Sequence, residues 1–143
     1  MASDSPDLSA FVFAHRIRVR WAEADMQGVV FNGHYLTYFD IGITEYLRAA
    51  CETEPGLMQS LYASLYVAKS TVNYRDSARF DDWIEILVRT GSIGNSSLVI
   101  EFAITRDEAL LVDGQSVYVY APDGKSARLP DNVRQALSNI DQT

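Results

Sequence analysis

From Phe11 the chain alternates. Phe13, His15, Ile17, Val19 and Trp21 fall on one register, and Val12, Ala14, Arg16, Arg18 and Arg20 on the other. A period of two marks a half-buried strand. After Gly33 the period changes. Apolar residues stand at Leu36, Phe39, Ile43, Tyr46, Leu47 and Ala50, while Thr37, Asp40, Thr44 and Arg48 fall at other angles. That spacing predicts a helix over 33–50, about 27 Å long. Asn32-Gly33 is also a strong hairpin signal. The helical spacing that follows outweighs it, and Asn32 is read as the helix N-cap. Gly42 in mid-helix costs roughly 1 kcal/mol against Ala, so a strand or a second subunit is expected to approach closely there.

Pro55-Gly56 ends the long helical pattern, and one or two further turns are expected over Leu57 to Tyr62. Leu65 to Tyr74, rich in Val, Thr and Tyr, reads as strand. Arg75 to Asp82 is a polar loop. Trp83 to Ile93 alternates again, with Ile84, Ile86 and Val88 on one face. Leu98, Ile100, Phe102 and Ile104 share a face in the next strand. Turns are expected at Gly94-Asn95 and Asp107-Glu108, and a last long strand over Ala109 to Tyr120. Asp113-Gly114 interrupts that strand as either a two-residue hairpin or a bulge. Pro130 opens a short terminal helix with Val133 and Leu137 on one side. Residues 1–10 read as a flexible N-terminus and 11–140 as a single domain. Antiparallel strands around one long helix make an α+β layout.

Composition narrows the function. The net charge of -7 argues against non-specific nucleic-acid binding, which needs clustered Lys and Arg. A local basic patch for a phosphorylated ligand remains compatible with it. Cys51 stands alone and reads as a buried small residue. Two His and one Cys far apart give no metal-ligand spacing. No Gly-x-Ser-x-Gly elbow, Gly-x-Gly-x-x-Gly or P-loop occurs. No apolar run reaches the length of a membrane helix and the N-terminus lacks a signal-peptide core. A soluble, cytoplasmic protein is expected.

Carboxylate chemistry is left, and the junction from Arg20 to Tyr46 is where it is expected. Asp25 lies three residues before Gly28, in the loop between the first strand and the long helix. Gly28 permits a positive φ that turns Asp25 back towards the helix start. Free N–H groups near Asn32 and Gly33, at the positive helix end, can bind a developing oxyanion. An Asp in this position can equally bond its own loop backbone. Glu23 is a weaker acid candidate, and Glu45 pairs naturally with Arg48. His34 is either a polar first-turn residue or a group that steers the reacting atoms. Tyr35 and Tyr38 are either pocket lining or plain core.

Asp25-x-x-Gly28-Val29-Val30-Phe31-x-x-x-Tyr35-Leu36 resembles the signature of the 4-hydroxybenzoyl-CoA thioesterase family, in its bacterial short-chain acyl-CoA thioesterase branch. Ser77-Ala78-Arg79-Phe80-Asp81-Asp82 falls where that family reads Pro-Ala-Arg-Tyr-Asp-Asp. The resemblance runs from about Phe13 to Leu137. Asn32 and His34 stand where His and Asn are common in that order, and Ser77 replaces the Pro. The resemblance implies the hotdog fold, an antiparallel sheet wrapped around one central helix, with a continuous last strand and therefore a bulge at Asp113-Gly114. It implies an acyl-CoA thioesterase in which Asp25 attacks the thioester or activates water, with Asn32, Gly33 and His34 at the reacting centre and the Asn32 amide as oxyanion donor. Gly28, Val30, Phe31, Tyr35 and Tyr38 are the candidates to line the substrate. The CoA phosphates need cations, for which Arg75 and Arg79, with Arg89 or Arg128, are candidates, against the plain reading of solvated loop charge. No cofactor is implied, since CoA belongs to the substrate. A homo-oligomer, dimer or tetramer, is implied, with the site between subunits. In a related branch a helix carboxylate does the work, which makes Glu45 the runner-up acid. The alternatives are a hydratase or dehydratase on the same fold, or a non-catalytic acyl-CoA-binding subunit.

Overall fold

The computed structural model describes residues 5–142. Strand β1 (Phe13–Arg18) leads through a 3-10 turn (Trp21–Glu23) to helix α1 (His34–Ala50). Then come α2 (Leu57–Tyr62), β2 (Leu65–Tyr74), β3 (Trp83–Ile93), β4 (Ser97–Arg106), β5 (Ala109–Tyr120) and α3 (Asp131–Gln142). The five strands form one antiparallel sheet in the order β1-β3-β4-β5-β2. The sheet wraps around α1, and this is the hotdog fold. Residues 1–4 of the expected loose terminus lie outside the described residues. Leu8–Ala10 forms a 3-10 turn capped by Asp7, whose carboxylate accepts from the Ser9 amide at 3.1 Å.

The core follows from the two periods. Ile84, Ile86 and Val88 from β3 and Leu98, Ile100, Phe102 and Ile104 from β4 are buried, as their alternation requires. From α1 they meet Tyr35, Tyr38, Phe39, Ile43, Tyr46 and Leu47. Phe39 stacks on Phe102 with ring centroids 4.3 Å apart. Gly42 is explained by β3: a Cβ there would stand 2.6 Å from Ile86 Cγ2 and 3.0 Å from Val88 Cγ2. The helix therefore lies flat on the sheet only where it has no side chain. Val133 and Leu137 bury one side of α3 as expected.

Three expectations are corrected. Asn32 does not cap α1: Gly33 occupies the N-cap in helical conformation, with no side-chain cap. The chain enters the helix through a turn in which the His34 amide donates to the Phe31 carbonyl at 2.9 Å. The buried face read in sequence holds at Phe39, Ile43, Tyr46 and Leu47 and fails only at its start. Leu36 is 42% exposed, whereas Tyr35 and Tyr38 are buried because their hydroxyls find partners. β5 is continuous, but Asp113 and Gly114 pair in regular register with β2 and β4. The extra residues are instead Ala68, Gly91 and Leu111, where the register shifts. Gly114 is needed for close approach, since a Cβ there would stand 2.1 Å from the Thr71 carbonyl oxygen and 3.0 Å from the Phe39 ring.

Candidate active site

The junction between β1 and α1 folds back on itself. The Phe31 amide donates to the Glu23 carbonyl at 3.0 Å and the Asp25 amide to the Val29 carbonyl at 2.8 Å. Residues 23–31 thus make a short ribbon with Asp25 near its tip. Gly28 turns the tip with φ of 79°, as its position demanded. The ribbon is fastened to the β2–β3 loop. The Val30 amide donates to the Ala78 carbonyl at 2.8 Å, and the Phe80 amide to the Gly28 carbonyl at 3.3 Å. The Ala78 amide in turn donates to the Tyr35 hydroxyl at 3.0 Å, tying that loop to α1. This is why Ser77 to Asp82 carries a motif of its own: it is the second wall of the junction.

Two carboxylates sit two residues apart in this ribbon with opposite surroundings. Glu23 is 5% exposed. Its Oε1 accepts from the Arg20 amide at 2.8 Å and the Tyr38 hydroxyl at 2.9 Å, and its Oε2 from Arg20 Nε at 3.0 Å. Burial pushes its carboxyl towards higher pKa, but the Arg20 amide and guanidinium and the Tyr38 hydroxyl outweigh it and hold Glu23 below its ordinary range. Glu23 is a structural anion, not a base. Its role was missed in sequence, although Arg20 three residues before it was a signal. Asp25 is exposed. One oxygen accepts from the Gln27 amide at 2.8 Å, and among the described residues the other accepts from nothing. The loop-bonding expected of an Asp in a turn is present, and it leaves half of the carboxylate free.

The start of α1 supplies donors. The Phe31 carbonyl is taken by the His34 amide, and the Asn32 carbonyl accepts from the Tyr35 amide at 3.3 Å and the Tyr74 hydroxyl at 3.2 Å. Among the described residues, the N–H groups of Asn32 and Gly33 have no acceptor. They sit at the positive end of a 17-residue helix. No hydrogen bond joins the Asp25 carboxylate to Asn32, Gly33 or His34 among the described residues.

The remaining candidates separate. Val30 is buried and Phe31 exposed, its ring edge-on to His34 with centroids 6.1 Å apart. Tyr35 and Tyr38 are core residues with both hydroxyls in use, and burial first of all raises the pKa of each. Arg75 is not an open cation. Its guanidinium pairs with buried Asp113, which also accepts from Asn73 Nδ2 at 2.9 Å. Arg79 is exposed, and its side chain makes no ion pair among the described residues. Glu45 pairs with Arg48 at 3.2 Å, three residues on. Trp21 and Phe80 are exposed and packed edge to face at 5.1 Å, and Met26 and Phe31 of the ribbon are exposed as well. Beside Leu36 and Asp40 of α1, a cavity of about 180 Å³ is lined also by Phe39, Val67, Ser70 and Ser116. Among the described residues no group of three or more His, Cys, Asp or Glu side chains converges as a metal ligand set.

Residues 27–112 match the profile of the Thioesterase superfamily. The acyl-CoA thioester hydrolase YbgC of Escherichia coli O6:H1 is 31% identical over 116 residues, covering 81% of this chain and 86% of that protein. The acyl-CoA thioesterase YbgC of Haemophilus influenzae is 25% identical over 131 residues, covering 90% and 96%. The crystal structure of a thioesterase from Thermus thermophilus, complexed with coenzyme A and Zn, superimposes with a TM-score of 0.84 at 25% identity, over 95% of this chain and 98% of that one.

Proposed function

The chain belongs to the Thioesterase superfamily and is a thioester hydrolase acting on acyl-CoA, and we propose that its chemistry runs between Asp25 and the first amides of α1. Water and acyl-CoA give the free acid and CoA thiol. Asp25 either attacks the thioester carbonyl carbon or takes a proton from the water that does. On both routes the carbonyl oxygen becomes negative, and the N–H groups of Asn32 and Gly33 are the donors that receive it. CoA thiolate is a good leaving group, so a strong acid beside the sulfur is not required. His34 and Phe31 flank the reacting centre in this reading. Gly28 holds the loop turned, and Tyr35 and Tyr38 form the floor that supports it. Arg79 is the better placed of the two loop arginines for a CoA phosphate, because Arg75 is held by Asp113.

The observation that carries the reading is the coincidence, on one junction, of a half-free carboxylate and two adjacent unpaired helix amides. A hydratase on this fold uses a His–acid pair made across the dimer, for which His34 is the candidate. Within the single chain, among the described residues, neither His15 nor His34 has a carboxylate partner, and a thiol-release assay separates the two readings.

The site is read as complete only in an oligomer. β2 is an edge strand of ten residues, and Tyr66 and Val67 on it are 55% and 54% exposed. An open edge of that length invites pairing, and a second copy of this chain is the proposed occupant, in a dimer or tetramer. A mass measurement at micromolar concentration that returns a monomer contradicts this. The activity is tested by following free thiol across a panel of acyl-CoAs. Thiol release with stoichiometric free acid is expected. Absence of release with every member, or water addition to an enoyl-CoA in its place, overturns the reading.

A further inference from the structure

Tyr74 ends β2, far in sequence from the junction, yet its hydroxyl donates to the Asn32 carbonyl at 3.2 Å. Its ring packs edge-on to Tyr35 with centroids 5.7 Å apart, and Tyr35 is itself held by the Ala78 amide. The carbonyl that Tyr74 meets belongs to the same peptide unit as the Gly33 N–H. A trans peptide is planar, with C=O and N–H pointing opposite ways. Fixing one end therefore aims the other. A hydrogen bond accepted at the oxygen also polarises the N–H and makes it a stronger donor. Among the described residues the neighbouring unit, Phe31–Asn32, is held by the backbone turn to His34, whereas the Asn32 carbonyl accepts from the Tyr35 amide at 3.3 Å and, in addition, from the Tyr74 side chain. Tyr74 is 52% exposed, so its hydroxyl has water available and still reaches the peptide.

We propose that Tyr74 is a positioning residue for thioester hydrolysis, holding and polarising the Asn32–Gly33 peptide so that the Gly33 N–H meets the oxyanion. This rests on the reading of the Asn32 and Gly33 amides as oxyanion donors. The bond is long in the resting protein, and it tightens when negative charge builds on the far side of the peptide. The β2–β5 pairing of Tyr74 with Val112 thereby connects the sheet edge to the reacting centre.

Tyr74→Phe keeps the ring and removes only the donor. Its kcat is expected to fall roughly 10-fold with KM little changed, less than the 10²–10³ expected for losing an oxyanion donor outright. A purely structural loss would not split kcat from KM in this way. The deciding readout is the infrared carbonyl stretch of an acyl-CoA bound to Asp25→Asn protein, with and without Tyr74→Phe. The stretch is expected to lie below that of free acyl-CoA in Asp25→Asn and to move back towards it in the double variant. A shift of equal size in both proteins overturns the role of Tyr74 and leaves the oxyanion donors standing. No shift in Asp25→Asn itself overturns the donors, and the role of Tyr74 with them.

Discussion

The two ends of α1 are built to opposite purposes. Its C-terminal end is clamped by buried side-chain hydrogen bonds. The buried Tyr46 hydroxyl donates to Asp141 at 2.7 Å and lies 2.8 Å from the Thr90 hydroxyl, while Asp141 also accepts from the Thr90 amide at 3.0 Å. This clamps α3 onto β3, and the Tyr46 ring packs edge-on to Phe13. At the N-terminal end two amides have no acceptor among the described residues, a carboxylate is half free, and Trp21, Met26, Phe31 and Phe80 are exposed. Asp25, Asn32 and Gly33 are exposed, so their free polar atoms are open to a ligand, and contiguous exposed apolar surface marks binding sites. The concentration of these features at one end of α1, opposite the end clamped through Tyr46, points to the open end as the working one.

Substitutions at the closed end should cost stability and spare chemistry. Tyr46→Ala removes a fully buried ring and both hydrogen bonds, and a loss of about 3–5 kcal/mol is expected from denaturant unfolding. The fraction that remains folded should turn over acyl-CoA at the parent rate. A stable Tyr46→Ala protein with lost activity would erase the contrast between the ends.

Glu23 sharpens the contrast, because it lies at the open end but belongs to the scaffold. Its folded pKa is depressed below the ordinary 4.5. The ionised group therefore contributes stability that is fully present above the unfolded value and is lost as pH falls through the lower folded one. Glu23→Gln is expected to cost roughly 1–3 kcal/mol at neutral pH. Thermal unfolding from pH 7 down to pH 3 should show a smaller acid-induced loss in the variant than in the parent. Parallel curves would mean that Glu23 is not the anion described.

Glu45 gives the smallest effect. It sits on the flank of α1 with Arg48, and a surface pair of this kind is worth about 0–1 kcal/mol. Glu45→Gln should leave both unfolding and turnover within about twofold of the parent, a barrier change of only ~0.4 kcal/mol. A dead Glu45→Gln protein would move the chemistry from the loop to the helix.

Much of this architecture was legible from spacing. The change from period two to period 3.6 after Gly33 located α1, and Gly42 signalled a close approach by a strand or a second subunit, which Ile86 and Val88 of β3 supply. What spacing could not supply was partners distant in sequence. Tyr35 and Tyr38 were open between pocket lining and plain core, because the Ala78 amide and Glu23 that satisfy their hydroxyls belong to other segments. Gly114 looked like a bulge, because the Thr71 carbonyl pressing on it comes from β2. Asn32-Gly33 carried both a hairpin and a capping signal, and the chain uses neither. Asn32 offers its carbonyl rather than its side chain. At the site, Asp25 and Gly28 were legible in sequence, whereas Tyr74 carried no signal there: only the fold brings the end of β2 to the start of α1.

The most direct measurement is the turnover of acyl-CoA by Asp25→Asn, followed by thiol release at a saturating concentration. The substitution keeps the shape of an exposed loop residue and removes its charge and basicity, so folding and CoA binding should survive. A fall of roughly 10²–10⁴-fold is expected for the loss of a positioned nucleophile or base. A folded Asp25→Asn protein within about threefold of the parent, only ~0.7 kcal/mol in barrier, would contradict the assignment of the chemistry to this carboxylate.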